Sequence, residues 1–377
     1  MKIEIAKEDL VYAVSSVEKA VSAKNTVPVL SGIMISAKDN RVTFRATDLE
    51  MAIECTVNTP VEEEGELVAP GRKLSQLAKG LSAGNIILES SDCENLLIKY
   101  NRGQISMPCY DTEEFPLLPA ASGDISGKIP VKVFRRLVRQ TGIAASMDEL
   151  RPVFTGMMLE IKDNDIPFVA TDTHRLTVGR GVWQGSGEKT VIVPNKVMQE
   201  VARLAANDDD NIHITVSKSQ VFFGFANLQI ASRLIMGQFP DYRQVIPGDE
   251  TFISRICVSR TALIESLELA SVVSREISKG RGSIICLTLE EDKINLYSSS
   301  QDEGTFDENV SALVEGEKLE LNYNARYLLD VLRVMDDERI ELRLTGANTP
   351  GIIQADVEDK TDKDRFLYLI LPVRINK

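Results

Sequence analysis

Three segments of the chain place apolar residues three or four positions apart, which is the spacing of one helix face. In the first segment Leu10, Val14, Val17 and Val21 share such a face, with polar residues between them. A shorter segment of the same kind follows each one and starts after a Pro or at an Asn, as helices often do. The pattern predicts helices at residues 8–21, 131–144 and 260–273, and shorter ones at 71–81, 195–205 and 324–335.

Between these segments apolar and polar residues alternate, which is the period of a half-buried strand. Alternating runs lie at residues 42–46 and 168–171. Each run leads into an Ala-Thr-Asp motif. Adjacent pairs of alternating runs, typical of hairpins, lie at residues 96–100 with 104–107 and at 220–225 with 229–234.

The chain repeats itself at an offset of 124 residues without a gap. A period this long corresponds to a whole domain and not to a solenoid repeat. Four anchors keep this register: Pro28-Val29-Leu30-Ser31-Gly32 returns as Pro152-Val153-Phe154-Thr155-Gly156, Ala46-Thr47-Asp48 as Ala170-Thr171-Asp172, Pro70 as Pro194, and Phe115-Pro116 as Phe239-Pro240.

A third copy is expected because 377 residues accommodate about three domains of this size. Tyr323-Asn324-Ala325-Arg326 takes the place of Val193-Pro194-Asn195-Lys196, at an offset that has grown to about 129 through insertions. We therefore predict domains at 1–121, 128–248 and 251–377. Each would have two helices and roughly eight strands, an α+β domain with its helices on one face of an antiparallel sheet.

Composition places the chain among ordinary globular proteins, with 43% hydrophobic and 26% charged residues. No run approaches the ~20 apolar residues that cross a bilayer, and the strand-like start Met1-Lys2-Ile3-Glu4-Ile5 does not resemble a signal peptide. We expect a cytoplasmic protein without a membrane partner. The five cysteines are scattered and never spaced Cys-x-x-Cys, so we interpret them as small buried hydrophobes and expect no zinc site.

Charge is distributed unevenly along the chain. The net charge is −13, yet residues 131–141 contain four basic residues and no acid, and residues 70–81 contain three. Counted with their flanking residues, as 7–24, 70–81, 131–141, 195–205, 259–275 and 324–335, the six predicted helices sum to +9. That leaves −22 for the rest of the chain, much of it in acidic runs at predicted turns. A basic helical surface without interleaved aromatic residues suits sequence-independent phosphate contacts, although helices that merely face solvent would show the same pattern.

The repeated Asp48 and Asp172 allow two interpretations. A pair of carboxylates could bind magnesium in a nuclease or transferase. An Asp that follows a strand can also cap a turn, and every copy of the fold would need that turn once. We favour capping, because no third carboxylate or catalytic Lys lies at a recognisable spacing. Of the two histidines, only His174 lies within a larger motif, and His213 is given no role.

Several separated motifs together resemble one family, the bacterial sliding clamps, which are the beta subunits of DNA polymerase III. The resemblance covers the whole chain. The motifs that carry it are Ala170-Thr171-Asp172-Thr173-His174-Arg175-Leu176, Phe239-Pro240-Asp241-Tyr242-Arg243, Asn324-Ala325-Arg326-Tyr327-Leu328-Leu329-Asp330-Val331-Leu332 and Leu369-Ile370-Leu371-Pro372-Val373-Arg374.

The resemblance implies a head-to-tail homodimer whose six domains form a ring around duplex DNA, with the helices facing the DNA. It implies no catalytic residue, cofactor or metal in the chain itself, although the family is part of a DNA-directed DNA polymerase, a nucleotidyltransferase. The residues implied to face DNA are Lys24, Arg72, Lys73, Lys79, Arg135, Arg136, Arg139, Lys196 and Arg203. Those implied at the subunit contact are Ile105, Met107, Val272 and Val273.

The resemblance also implies a pocket for linear peptide motifs of the replicative polymerase alpha subunit, the clamp loader, other polymerases and repair proteins. Apolar walls would hold a Leu or Phe anchor, and His174, Arg175 and Arg374 would hold its polar ends. Thr173 stands where the family often has Gly or another small residue, and Gln244 where it often has a basic residue. The implied pocket residues are Phe154, Thr171, Thr173, His174, Arg175, Leu176, Pro240, Val245, Asn324, Tyr327, Leu369, Ile370, Leu371, Pro372, Val373 and Arg374.

Two other classes remain open at this point. One is the metal-dependent enzyme that would use Asp48 and Asp172. The other is a repeat scaffold that binds only proteins and would not be retained on circular DNA.

Overall fold

A computed structural model describes residues 1–22, 27–91, 94–117, 120–273, 283–300, 303–357 and 366–374. The chain forms two compact units. The first comprises residues 1–132, 184–187 and 200–234, and the second residues 133–183, 188–199 and 235–377. This division into two units does not test the predicted domain boundaries at 1–121, 128–248 and 251–377, which stay a prediction.

Seven α-helices lie within the described residues, and all six predicted helices are among them. The helix predicted at 8–21 is α-helical only to Val17 and continues as a 3₁₀ turn, Glu18–Ala20, and the one at 131–144 likewise ends in a 3₁₀ turn, Gly142–Ala144. The helices are α1 Lys7–Val17, α2 Gly71–Gly80, α3 Val131–Thr141, the single turn α4 Pro152–Thr155, α5 Asn195–Leu204, α6 Arg260–Val273 and α7 Ala325–Val334.

The first unit contains two antiparallel sheets in the described part of the chain. One has the strand order β5-β1-β7-β8-β9 and the other β14-β10-β16-β17-β18-β4-β3-β2-β6. Their strands are β1 Lys2–Ala6, β2 Gly32–Lys38, β3 Arg41–Thr47, β4 Met51–Asn58, β5 Val61–Glu63, β6 Gly65–Pro70, β7 Asn85–Glu89, β8 Asn95–Tyr100, β9 Gly103–Pro108, β10 Ile125–Pro130, β14 Gln184–Ser186, β16 Asn211–Val216, β17 Gln220–Phe225 and β18 Leu228–Arg233.

The second unit contains one antiparallel sheet of twelve strands, in the order β15-β11-β12-β13-β26-β25-β24-β19-β22-β21-β20-β23. Its strands are β11 Gly156–Ile161, β12 Phe168–Thr171, β13 Arg175–Gly179, β15 Lys189–Pro194, β19 Ser254–Ser259, β20 Ile284–Leu289, β21 Lys293–Ser300, β22 Gly304–Gly316, β23 Glu320–Asn324, β24 Arg339–Leu344, β25 Gly351–Ala355 and β26 Phe366–Ile370. Helices on antiparallel sheets confirm the predicted α+β class.

The helices bury their apolar stripes and expose their charges, as the spacing predicts. In α3, Phe134, Leu137 and Val138 are buried, and Phe134 meets Phe168 edge to face with ring centroids 5.7 Å apart. In the first unit α1 packs against α2 and β4. Burial at about 25 cal/mol per Å² of apolar surface makes these stripes the main source of helix stability.

The sequence repeat is visible in the strand pairing of each unit. In the first unit Met51 of β4 pairs with Ser232 of β18, and in the second Arg175 of β13 pairs with Ile370 of β26. The next backbone hydrogen bond is equivalent too, since Arg233 N donates to Glu50 O as Leu371 N donates to His174 O, each at 2.9 Å. Each unit therefore joins a strand of one copy to the last strand of the next.

The described cysteines are all free. Cys55 and Cys257 are buried as predicted, whereas Cys109 and Cys286 are half-buried, and Cys93 lies outside the described residues. Burial raises the pKa of the Cys55 thiol to about 12, so it stays protonated and unreactive. No helix in the described ranges is long and apolar enough to span a membrane.

Candidate functional site

A cavity of about 290 Å³ opens in the second unit. Its walls come from the start of β13, the 3₁₀ turn Tyr242–Val245 and the end of β26. Val245 and Leu371 leave 51% and 37% of their surface exposed at this site. The cavity is lined by Phe154, Thr171, Thr173, His174, Arg175, Leu176, Phe239, Pro240, Asp241, Tyr242, Val245, Pro350, Leu369 and Leu371.

Asp172 caps the turn that precedes β13. Its Oδ1 accepts hydrogen bonds from His174 N at 2.9 Å and Arg175 N at 3.0 Å. Asp48 repeats this in the first copy, where Oδ1 accepts from Glu50 N at 3.0 Å and Met51 N at 2.8 Å. The capping interpretation is thus confirmed for both residues, and the backbone bonds account for the repeat of these aspartates. Among the described residues no group of His, Cys, Asp and Glu is arranged to hold a metal ion.

Arg175 is the buried charge of the site, with only 9% of its surface exposed. Its Nε donates to Asp172 at 3.0 Å and its Nη1 to Asp330 at 2.7 Å, while the guanidinium lies 4.2 Å from the Tyr327 ring centroid. Burial alone would lower the pKa of the Arg175 guanidinium. Tyr368 and the carboxylates of Asp330 and Asp172 outweigh burial and hold this pKa above its usual value. The motif assigned Arg175 to the polar ends of a ligand; the structure instead engages it with Asp172 and Asp330, so it fixes the wall.

His174 is exposed beside Arg175 and stacks on Tyr327, with ring centroids 6.4 Å apart and ring planes at 28°. Its carbonyl oxygen accepts the hydrogen bond from Leu371 N. This bond continues the β13–β26 ladder past the end of β26 and holds Leu371 at the cavity. The exposed imidazole leaves a polar group available at the edge of an apolar wall.

The side chain of Asp241 caps the start of the 3₁₀ turn Tyr242–Val245. Asp241 Oδ1 accepts from Arg243 N at 3.2 Å, and Asp241 Oδ2 accepts from Gln244 Nε2 at 3.0 Å. Behind the turn, the carboxylate of Glu160 forms ion pairs with Arg243 and with Lys162, the latter at 2.7 Å. Glu160 is 8% exposed, and burial alone would raise its pKa. Hydrogen bonds from Lys162 and Arg243 outweigh burial and hold the pKa below its usual value.

Replacing Glu160 with glutamine is expected to lower the free energy of unfolding of the second unit by about 1–2 kcal/mol at neutral pH, because an amide cannot satisfy several cationic donors. A depressed pKa contributes stability that is present above the unfolded value and lost below it. The gap between wild type and variant should therefore close as pH falls below 4.5, the ordinary glutamate value.

Fluorescence of Trp183, the single tryptophan, measures this transition, because its ring is fully buried in the second unit. Glu291→Gln is the matched control, since the Glu291 carboxylate pairs with Lys318 while 86% exposed. A pH-independent gap between wild type and Glu160→Gln would contradict the assignment.

Ten of the sixteen predicted pocket residues line the cavity, and six do not. Asn324 caps α7 by accepting from Arg326 N at 3.0 Å, and Ile370 is fully buried in the core of the third copy. Tyr327 lies behind His174 and Arg175. The other three, Pro372, Val373 and Arg374, follow Leu371 without lining the cavity.

Four lining residues were not predicted from the sequence. Phe239, Asp241 and Tyr242 belong to the motif that contains Pro240, so extending the prediction along that motif would have found them. Pro350 lies in the loop before β25, and no sequence signal places it there.

The predicted DNA-facing residues differ in how they are engaged. Arg72, Lys73, Arg135 and Lys196 are exposed, and Arg136 is half-buried with its Nη2 donating to Arg180 O at 3.3 Å. Three form ion pairs: Lys79 with Glu18 at 3.5 Å, Arg139 with Asp336 at 2.6 Å, and Arg203 with Glu200. Lys24 lies outside the described residues.

The predicted subunit-contact residues also differ in exposure. β9 is an edge strand, with Ile105 half-buried on it and Val273 half-buried at the end of α6. Val272 is 70% exposed. Met107, expected as an exposed contact residue, is instead only 5% exposed, because it pairs with Leu96 on the inner face of the sheet. Its side chain is part of the hydrophobic core.

Three family models match consecutive parts of the chain. The N-terminal, central and C-terminal domains of the DNA polymerase III beta subunit match residues 1–119, 128–241 and 243–374. The chain belongs to the beta sliding clamp family. Beta sliding clamps of Staphylococcus epidermidis and Staphylococcus aureus are 31% and 30% identical over 384 residues, which is 99% of each chain.

Solved clamp structures have the same fold. The DNA polymerase sliding clamp of Bacillus subtilis superposes with a TM-score of 0.93 at 29% identity over 100% of both chains. A sliding clamp of Pseudomonas aeruginosa bound to griselimycin gives 0.92 at 26% identity, again over 100% of both. As a beta sliding clamp, the chain is a DNA-replication processivity factor that is not catalytic by itself.

Proposed function

We propose that the chain forms a head-to-tail homodimeric ring that encircles duplex DNA and tethers its partners through the cavity in the second unit. The partners would be the replicative polymerase alpha subunit, the clamp loader, and other polymerases and repair proteins, all in the cytoplasm. The observation that carries this proposal is the apolar cavity with its exposed Val245 and Leu371 in a chain of the clamp family.

The cavity supports peptide binding by its chemistry. About 290 Å³ is enough for one or two apolar side chains, and the walls are mainly aliphatic and aromatic. Leu176 and Leu369 form its buried floor at 3% exposure each, while Val245 and Leu371 are exposed at its edge. A linear peptide with a Leu or Phe anchor would bury that anchor here and place polar backbone near His174. The griselimycin complex of the Pseudomonas aeruginosa relative supports a ligand site in this fold.

Helix charge supports DNA contact without sequence readout. Arg72 and Lys73 are exposed on α2, and neither forms an ion pair with a described residue. Such side chains can neutralise phosphates and release counterions, which yields a weak, salt-dependent contact that does not fix position along the duplex.

The ring itself is tested by topology. Loaded by a bacterial clamp loader onto nicked circular duplex, the chain should stay with the DNA through gel filtration at high salt and leave when the circle is cut. A repeat scaffold that binds only proteins would not be retained on the circle. Retention that persists on linear DNA would contradict encirclement.

Charge reversal tests the helix surface. Arg72→Glu with Lys73→Glu should reduce loading on DNA and lower the slope of log K against log salt by about 1 for each phosphate that the variant no longer neutralises. Lys38→Glu with Lys218→Glu changes the net charge equally at exposed positions outside the helices. If both pairs act alike, only total charge matters and α2 does not face the duplex.

A further inference from the structure

We propose that Thr173 is a specificity-determining residue of this cavity, which selects partner peptides by the size of their apolar anchor. The inference rests on the proposed function of the cavity and assigns to one residue the choice among peptides.

Thr173 has a backbone conformation that its side chain disfavours. Its φ is 78°, in the left-handed region, where a β-branched residue is a genuine outlier. Glycine would adopt this conformation without a steric penalty. Strain of this kind persists only where the surrounding structure imposes it, and it is concentrated at ligand sites.

The neighbours of Thr173 impose the turn. Thr171 Oγ1 accepts from Thr173 N at 3.1 Å and itself donates to Arg175 O at 2.7 Å. Asp172 then caps His174 N and Arg175 N. Every one of these bonds uses the Thr173 backbone or another residue, so none requires a threonine side chain at position 173.

Thr173 lines the cavity and is exposed. Within the described part of the chain, no hydrogen bond to its hydroxyl is found. Neither burial nor hydrogen bonding inside the fold therefore offsets the strain. What the branched side chain does is occupy space at the wall of a cavity of about 290 Å³.

The first copy contains an equivalent strained turn that is not part of the cavity. Leu49 has a φ of 74° in the equivalent turn, where Thr47 Oγ1 accepts from Leu49 N at 3.0 Å and Asp48 caps the next two residues. Leu49 is not among the residues that line the cavity. The turn thus belongs to the repeated fold, and in the second copy its residue lines a ligand-sized cavity.

A threonine at the wall narrows the space left for an anchor, so the wild-type cavity should favour leucine over tryptophan. Removing the side chain in Thr173→Gly leaves room for the larger ring. Thr173→Val keeps the shape and removes only the hydroxyl, so it separates size from hydrogen bonding. Leu49→Gly relieves the equivalent strain outside the cavity.

The test measures fluorescence polarisation of labelled hexapeptides that differ only in a leucine or tryptophan anchor. In Thr173→Gly the ratio of leucine to tryptophan affinity should fall about 5- to 10-fold, as expected for a change of a few atoms in an apolar pocket. Thr173→Val and Leu49→Gly should keep the wild-type ratio. Both glycine variants should raise Tm by similar amounts.

Two results would overturn the inference, and they distinguish its failure from the failure of the proposed peptide function. If the wild-type chain binds the leucine peptide and Thr173→Gly keeps the same ratio, Thr173 does not select the anchor, although the cavity still binds peptides. If the wild-type chain binds neither peptide, the proposed peptide function fails together with the inference.

Discussion

Replacing Arg175 with methionine is expected to lower the free energy of unfolding of the second unit by about 3–5 kcal/mol. The variant would leave the carboxylates of Asp172 and Asp330, 13% and 25% exposed, without their cation in a poorly solvated site. It would also remove the cation from the face of Tyr327. Since these contacts connect β13 to α7, peptide affinity should fall with stability. Denaturant titration followed by Trp183 fluorescence measures the change.

Arg180→Met is the control for this variant. Arg180 pairs with Asp165 at 2.9 Å, but both side chains are about 40% exposed, so the pair contributes about 0–1 kcal/mol. A destabilisation at Arg175 no larger than that at Arg180 would show that burial of the guanidinium does not make its ion pairs essential.

Substituting aspartate for both Val245 and Leu371 is expected to weaken binding of a leucine-anchored peptide by about 100-fold or more, which is ~3 kcal/mol. A bound anchor would bring apolar surface against two carboxylates and remove their water, an unfavourable exchange. Because both side chains are already exposed in the unliganded chain, unfolding should change little. Fluorescence polarisation of the labelled peptide gives the affinity.

Val182→Asp with Leu313→Asp provides the matched control. Both are exposed apolar residues of the second unit, at 58% and 52%, and neither lines the cavity. If the Val245 and Leu371 variant binds with wild-type affinity, the peptide site lies elsewhere. Equally weakened binding in the two double variants would indicate a general effect of added negative charge.

Much of the fold could be predicted because it depends on local periodicity. The apolar stripe of α6 predicted residues 260–273, and the structure has Arg260–Val273. The repeat predicted equivalent turns at Asp48 and Asp172, since an aspartate followed by the same strand forms the same cap. These features depend on residues a few positions apart, so a single sequence contains the information needed to predict them.

The site was predicted less completely, for a physical reason. Arg175 could be named as a pocket residue from its motif, but its partner Asp330 is 155 residues away, and motif position alone could not show that this charge is already engaged. The resemblance implied Met107 at the subunit contact, yet it is buried and pairs with the buried Leu96. Which face a strand residue presents depends on pairing register, and that is set by the assembled sheet.

The repeat, the α+β class, the family and the basic helices follow from the sequence alone, because each is carried by short-range patterns or by matching motifs. Tertiary packing was needed to show what fills the space between distant segments. It joined β13 to β26 and so brought Leu371 to His174, it engaged Arg175 with the distant carboxylate of Asp330, and it left Thr173 at the cavity wall. Contacts across more than 150 residues depend on packing and strand register, which the periodicity of one segment does not specify.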